Sequence, residues 1–134
     1  MRLGTLDIPR GLLLAPMEDV TDQPFRILCR RLGADLVYTE FVNADELVRG
    51  SRRASRKLAF RPEERPLGVQ IYGADPATMA EAARRVAGLG PDLIDINCGC
   101  WVRDVALRGA GAGLLRDVPR LGQIAAAVVR AVEV

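Results

Sequence analysis

Four short apolar runs punctuate the chain, each followed by a longer stretch of helical spacing. Leu12-Leu13-Leu14-Ala15 is the first, ended by Pro16. Leu36-Val37-Tyr38-Thr39, Leu67-Gly68-Val69-Gln70-Ile71 and Leu93-Ile94-Asp95-Ile96 follow. Runs of this length suit strands covered on both faces of a parallel sheet. Asp22 or Thr21 caps a helix predicted from about Pro24 to Leu32, stopped by Gly33. Asp75-Pro76 opens another, in which Met79, Ala82, Ala83, Val86 and Ala87 share a face before Gly88 and Gly90 end it. Ile124, Ala127, Val128, Ala131 and Val132 mark a last helix. Asn43 to Lys57 is less regular, with Gly50 and Ser51 placed to split it, and Arg61 to Pro66 reads as a loop.

Strand starts at 12, 36, 67 and 93 recur every 24 to 31 residues. This alternation predicts an α/β fold with parallel strands and right-handed crossovers. Two architectures compete: a doubly wound sheet complete within the chain, and part of a (β/α)8 barrel, which needs ~250 residues.

Polar residues interrupt the apolar pattern in three places. Ala15-Pro16-Met17-Glu18-Asp19-Val20-Thr21-Asp22 lies at the C-terminal end of the first strand, the end where parallel α/β folds bind ligands. Proline stops the ladder there and leaves the following backbone amides to meet a polar ring edge; a capped turn entering a helix is the plainer alternative. Gln70 sits inside the third run, where a buried amide must find partners in a heteroaromatic ligand or in neighbouring backbone. In Asp95-Ile96-Asn97-Cys98-Gly99-Cys100, Asp95 points away from Ile94 and Ile96, and Asn97 and a thiol follow on a glycine-containing loop. Such a thiol can act as nucleophile or proton donor, or simply be a half-buried cysteine. Gly109-Ala110-Gly111-Ala112-Gly113 lacks the lysine of a phosphate loop and reads as a close-packed turn before Leu114-Leu115.

Composition narrows the chemistry. The chain has 134 residues, no histidine and three cysteines, Cys29, Cys98 and Cys100. Without histidine, Ser-His and Cys-His hydrolases are excluded, and one Cys-x-Cys cannot supply a four-ligand zinc site. An odd cysteine count argues against a disulfide framework. No run approaches the ~20 apolar residues of a membrane span, so the expectation is a cytoplasmic protein with no membrane partner. A net charge of +2 does not by itself indicate nucleic acid, although Arg49, Arg52, Arg53, Arg56 and Lys57 put five cations in nine residues. That cluster is either a phosphate-binding patch or a solvated helix face.

Together these motifs resemble the tRNA-dihydrouridine synthases, most closely the bacterial B-type branch. The matching text includes Ala15-Pro16-Met17 with Val20-Thr21-Asp22 and Pro24-Phe25-Arg26, then Thr39-Glu40-Phe41-Val42 and Val69-Gln70-Ile71-Tyr72-Gly73. It continues through Asp95-Ile96-Asn97, Gly99-Cys100 and Gly109 to Leu115, so it runs nearly end to end. The resemblance implies an FMN-binding TIM barrel followed by a helical domain, with residues 1–134 as the N-terminal half of the barrel. Residues 2 to 8 would then be a hairpin sealing its floor. It implies reduction of uridine to 5,6-dihydrouridine in tRNA, with NADPH reducing FMN. Hydride passes to C6 of the uracil, and a cysteine gives the proton at C5. By position Cys100 is the proton donor. Pro16, Met17 and Glu18 fall where the first loop meets the flavin, Gln70 where an amide meets its edge, and Asn97 beside Cys100. Cys98 is expected to be a packing residue. Alternatives are a flavin barrel acting on free pyrimidines, and a non-catalytic half barrel that self-associates through its open edges.

Three departures from the family pattern stand out. Trp101 replaces the usual proline after Gly-Cys, and a bulky indole there threatens the space for uracil. Asp104 replaces a usual lysine before Val105. The sequence also stops at Val134, where a fifth strand is expected, so the chain alone is expected to bind FMN weakly or not at all and to be inactive by itself.

Overall fold

In the computed structural model, which describes residues 1–133, the apolar runs assemble into a parallel sheet; Val134, the expected break point, lies outside the described residues. The chain opens with an antiparallel hairpin, β1 (Arg2–Leu3) and β2 (Leu6–Asp7). Strands β3 (Leu13–Leu14), β4 (Leu36–Tyr38), β6 (Leu67–Tyr72) and β7 (Leu93–Ile96) then lie side by side, all parallel. The expected α/β class and parallel sheet are therefore present.

Strand β5 (Val42–Asn43) is absent from the sequence reading. It pairs with β6 further along than β4 does, Val37 facing Leu67 and Val42 facing Ile71. The offset falls from 30 residues to 29 between those pairs, so Thr39–Phe41 holds one more residue than β6 opposite. That is a bulge, which turns a strand and re-aims its side chains.

Helices start where the caps predict. The Asp22 side chain accepts from Phe25 N at 3.0 Å to open α1 (Gln23–Arg31), and Asp75 accepts from Thr78 N at 2.7 Å to open α4 (Pro76–Ala87). The Asn43–Lys57 stretch is split at Gly50 and Ser51 into α2 (Ala44–Val48) and α3 (Arg52–Lys57). After β7 come α5 (Arg103–Leu107), a 3-10 turn over Gly111–Arg116, and α6 (Val118–Ala131). No helix among the described residues is long and apolar enough to cross a membrane.

The alternation along β6 separates two environments. Leu67, Val69 and Ile71 join Met79, Ala82, Ala83 and Val86 of α4 and Ile124 and Val128 of α6 in the core, with Ile94 and Ile96 packed against it. Gly68 and Gln70 point the other way. A Cβ on Gly68 would lie 2.5 Å from Tyr38 Cε1 and 2.7 Å from Leu93 Cδ1, so only glycine lets those side chains close over the strand.

Two identical clamps fix the strand starts. Asp35, before β4, accepts from Leu12 N at 3.0 Å, while Arg10 bonds Asp35 and the Gly33 carbonyl. Asp92, before β7, accepts from Leu67 N at 2.8 Å, while Arg65 bonds Asp92 and the Gly90 carbonyl. Arg-x-Leu on one strand and Gly-x-Asp-Leu on the next thus form the same junction twice. Each satisfies a strand-end N–H that the ladder cannot.

Candidate active site

The C-terminal ends of β3, β6 and β7 open onto one cleft of about 480 Å³. Its lining contains all six residues singled out in the sequence: Pro16, Met17, Glu18, Gln70, Asn97 and Cys100. The Cys100 and Gln70 side chains therefore face the same space. Phe41, brought over by the bulge, and Trp101 complete much of the wall.

A directed chain of hydrogen bonds organises the floor. Asn97 Oδ1 accepts from Cys100 N at 2.9 Å and from Gly99 N at 3.2 Å. Backbone N–H groups can only donate, so the Asn97 amide must present its oxygen to the loop and its nitrogen to Gln70. Asn97 Nδ2 donates to Gln70 Oε1 at 2.9 Å, and Gln70 Nε2 donates to Asp95 Oδ2 at 2.5 Å. Gln70 and Asp95 are direct neighbours in the parallel register, which is why they meet. The partners of Gln70 within the chain are thus side chains, not the neighbouring backbone that was one of the two alternatives left open by the sequence. Each amide uses one of its two N–H groups here, leaving one on Gln70 and one on Asn97 for a ligand. Asp95 also acts on its neighbours. Burial, then its negative charge, pushes the Tyr38 phenol and the Cys98 thiol above their ordinary values.

The first loop is held from below. Thr21 Oγ1 accepts from Met17 N and donates to Met17 O, both at 3.0 Å. The Met17 N–H is therefore spent, contrary to the expectation that amides after Pro16 stay free. The Thr21 carbonyl accepts from Arg26 Nη1 at 2.7 Å, and Arg26 Nε reaches Glu64 at 2.7 Å in a fully buried ion pair. Arg26 sits on an amphipathic helix and Glu64 ends a short 3-10 turn (Pro62–Glu64) within the stretch read as a loop, so nothing local in the sequence announces their pairing. Glu18 is also engaged: Lys57 Nζ bonds it and lies 3.3 Å from Glu40, and Arg53 approaches Glu18 to 3.6 Å. Burial works against the Lys57 charge, but Glu18 and Glu40 together outweigh it and raise its pKa. Of the five-cation cluster, then, Lys57 is turned to Glu18 and Glu40 beside the cleft rather than to solvent.

The glycine-rich segment supports the Cys100 loop. Gly111 has φ +54°, and a Cβ there would lie 2.8 Å from Cys100 O and 3.0 Å from Cys100 Cβ. Ala112 N donates to Cys100 O at 2.9 Å. Cys100 is half-buried at the cleft, and Cys98 packs against the core as expected. Trp101 is 85% exposed, so the indole leans out of the cleft instead of filling it.

A polar floor at the strand ends of an α/β fold thus lies beside a thiol on a loop pinned by an amide. The chain belongs to the dihydrouridine synthase family, whose family model (Dihydrouridine synthase, Dus) matches residues 13–134. It is 48% identical over 134 residues to the tRNA-dihydrouridine synthase B of Pseudomonas aeruginosa, covering 100% of this chain and 40% of that protein. Its likeness to the tRNA-dihydrouridine synthase B of Xanthomonas campestris pv. campestris is 43% with the same coverage. To that of Shewanella oneidensis it is 39%, covering 100% of this chain and 42% of the relative. The chain thus spans about two fifths of the length of the curated relatives it matches.

Proposed function

We propose that residues 1–134 are the N-terminal half of the FMN-binding barrel of a tRNA-dihydrouridine synthase, and that the cleft seats the flavin and the uracil it reduces. In this reading β3, β4 with its continuation β5, β6 and β7 are barrel strands one to four, and further strands complete the cradle. The observation that carries the proposal is the convergence of three separately noted segments on one cleft, with Gln70, Asn97 and the Cys100 loop joined by hydrogen bonds.

The residues present fit a flavin. The cleft lies within the ~300–1,000 Å³ usual for small-molecule sites. It combines the apolar Pro16 and Met17 with two amide N–H groups free to meet the carbonyl and nitrogen edge of a ring. When bound and reduced by NADPH, FMN supplies the hydride. The protein's part is position and one proton. Cys100 Sγ–H gives its proton to C5 of the uracil as the C5–C6 double bond is lost, and the resulting thiolate regains a proton from solvent. Asn97 holds the loop so that the thiol stays over the floor. Glu18, neutralised by Lys57, keeps an unpaired charge away from the ring.

Flavin retention tests the reading. This chain is exchanged for the matching N-terminal residues of the Pseudomonas aeruginosa relative, and the chimera is desalted and its bound FMN measured. The chimera should retain FMN. Gln70→Leu, which cannot meet the ring edge and strands the Asn97 amide, should weaken binding at least tenfold. Undiminished binding by Gln70→Leu would remove Gln70 from the cofactor site.

A further inference from the structure

Trp101 is the sole tryptophan, and it stands 85% exposed at the lip of the cleft. Both of its neighbours are tied down. Cys100 is bonded through its N–H to Asn97 and through its carbonyl to Ala112. The Val102 carbonyl accepts from Val105 N and Ala106 N, each at 3.0 Å, to start α5. An indole on so fixed a backbone is presented to solvent, with little backbone freedom left to lose when it is covered. Its lip is continuous with a basic rim. Val102 lines the main cleft and also a neighbouring one of about 300 Å³ whose lining includes Arg53 and Lys57. Beyond Lys57, Arg49, Arg52, Arg53 and Arg56 are all exposed, and among the described residues Arg49, Arg52 and Arg56 have no acidic partner.

We propose that Trp101 and the α2–α3 arginines form a track for single-stranded RNA, a base beside the target stacking on the indole while Arg53 and Arg56 take the strand's phosphates. This rests on the uridine-reductase reading and names positioning residues for its substrate. Single-stranded RNA is the occupant because an aromatic face beside exposed guanidinium groups is the combination that binds it: stacking accepts any base, and the cations follow the backbone, Arg53 keeping a 72% exposed side chain although Glu18 lies 3.6 Å away. The flavin is excluded from this role by place. The proposed flavin contacts Gln70 and Asn97 are 7% and 9% exposed on the floor, whereas Trp101 faces outward.

The sole tryptophan makes its own reporter. Indole emission of the 134-residue chain is followed while a labelled single-stranded oligouridylate of about eight nucleotides is added, with label anisotropy giving the affinity. Indole quenching should saturate along the same curve as anisotropy. Trp101→Ala should weaken binding about tenfold and leave the salt dependence alone, whereas Trp101→Phe keeps most of the affinity. Arg53→Gln with Arg56→Gln should reduce the slope of log K against log salt by about 0.7 per lost phosphate contact. Circular dichroism should be unchanged in all three, because every substituted side chain is exposed. Parental affinity in Trp101→Ala, absence of binding at low salt, or binding that leaves the indole unquenched would each overturn the proposal. So would an emission shift that follows protein concentration without RNA, since self-association would then cover the indole. Flavin retention reads a different ligand, so the two proposals can fail separately.

Discussion

Replacing Glu64 by glutamine should cost this fold more than any surface charge could. The Arg26 and Glu64 side chains are 3% and 0% exposed, and Arg26 also holds the carbonyls of Thr21 and Ala59. Glu64→Gln keeps the shape but leaves a guanidinium in the interior without a counter-charge, a change that costs ~3–5 kcal/mol. For a domain with ~5–15 kcal/mol in total, that removes a large share of the stability. Urea unfolding has a slope of ~2 kcal/mol per molar for a small domain, so the midpoint should fall by about 1.5–2.5 M. Glu81→Gln provides the comparison: Glu81 meets Arg84 and Arg85 in pairs about half exposed, and such pairs contribute under ~1 kcal/mol. Arg26→Met with Glu64→Leu together should recover much of the loss, since the interior then holds no unpaired charge. Because Arg26 anchors the Thr21 carbonyl, Glu64→Gln should also loosen the Met17 loop, speeding amide exchange there before global unfolding. A midpoint within 0.3 M of the parent would refute the reasoning.

Two further outcomes follow from the packing and the charges. Gly111→Ala must place a Cβ 2.8 Å from a backbone oxygen at φ +54°, so it should cost ~2–4 kcal/mol and expose Cys100 to thiol reagents; unchanged labelling would show that the loop does not lean on Gly111. The Leu12 N–H first, then Arg10, hold the Asp35 carboxyl below its ordinary value of 3.8. A depressed pKa contributes stability that is complete above that value and is lost as pH falls through the lowered one. Acid unfolding below about pH 3.8 should therefore flatten in Asp35→Asn, and an identical acid limb would disprove the clamp's electrostatic role.

What could be read in advance followed from local chemistry. Asp22 and Asp75-Pro76 announce α1 and α4 because a cap needs only residues three apart. The apolar runs announce β4 and β6 because burial on both faces leaves little polar alternation, and β7, half-buried along its length, through Leu93, Ile94 and Ile96. Gln70 and Asp95 stood out for the same reason inverted, as polar groups where none belonged, and they prove to be bonded to each other. β5 escaped notice because two residues carry no periodicity, and its register depends on a bulge opposite β6. The Arg26–Glu64 pair, Lys57 between two glutamates, and the paired Arg–Asp clamps are contacts between distant segments. No window of sequence contains them. The roles proposed for Cys100, Pro16, Met17 and Glu18 came from family resemblance; physical reading alone favoured a capped turn and an ordinary half-buried thiol.

The central claim is that the thiol pinned by Asn97 delivers a proton to a uracil lying over the Gln70 floor. Its most direct test is dihydrouridine formation in tRNA by the chimera bearing this chain, comparing the parent with Cys100→Ala. The parent should form dihydrouridine. Cys100→Ala should be slower by ~10²–10⁴, as for loss of a general acid, while still retaining FMN and oxidising NADPH. Dihydrouridine made by Cys100→Ala at the parental rate would contradict the account.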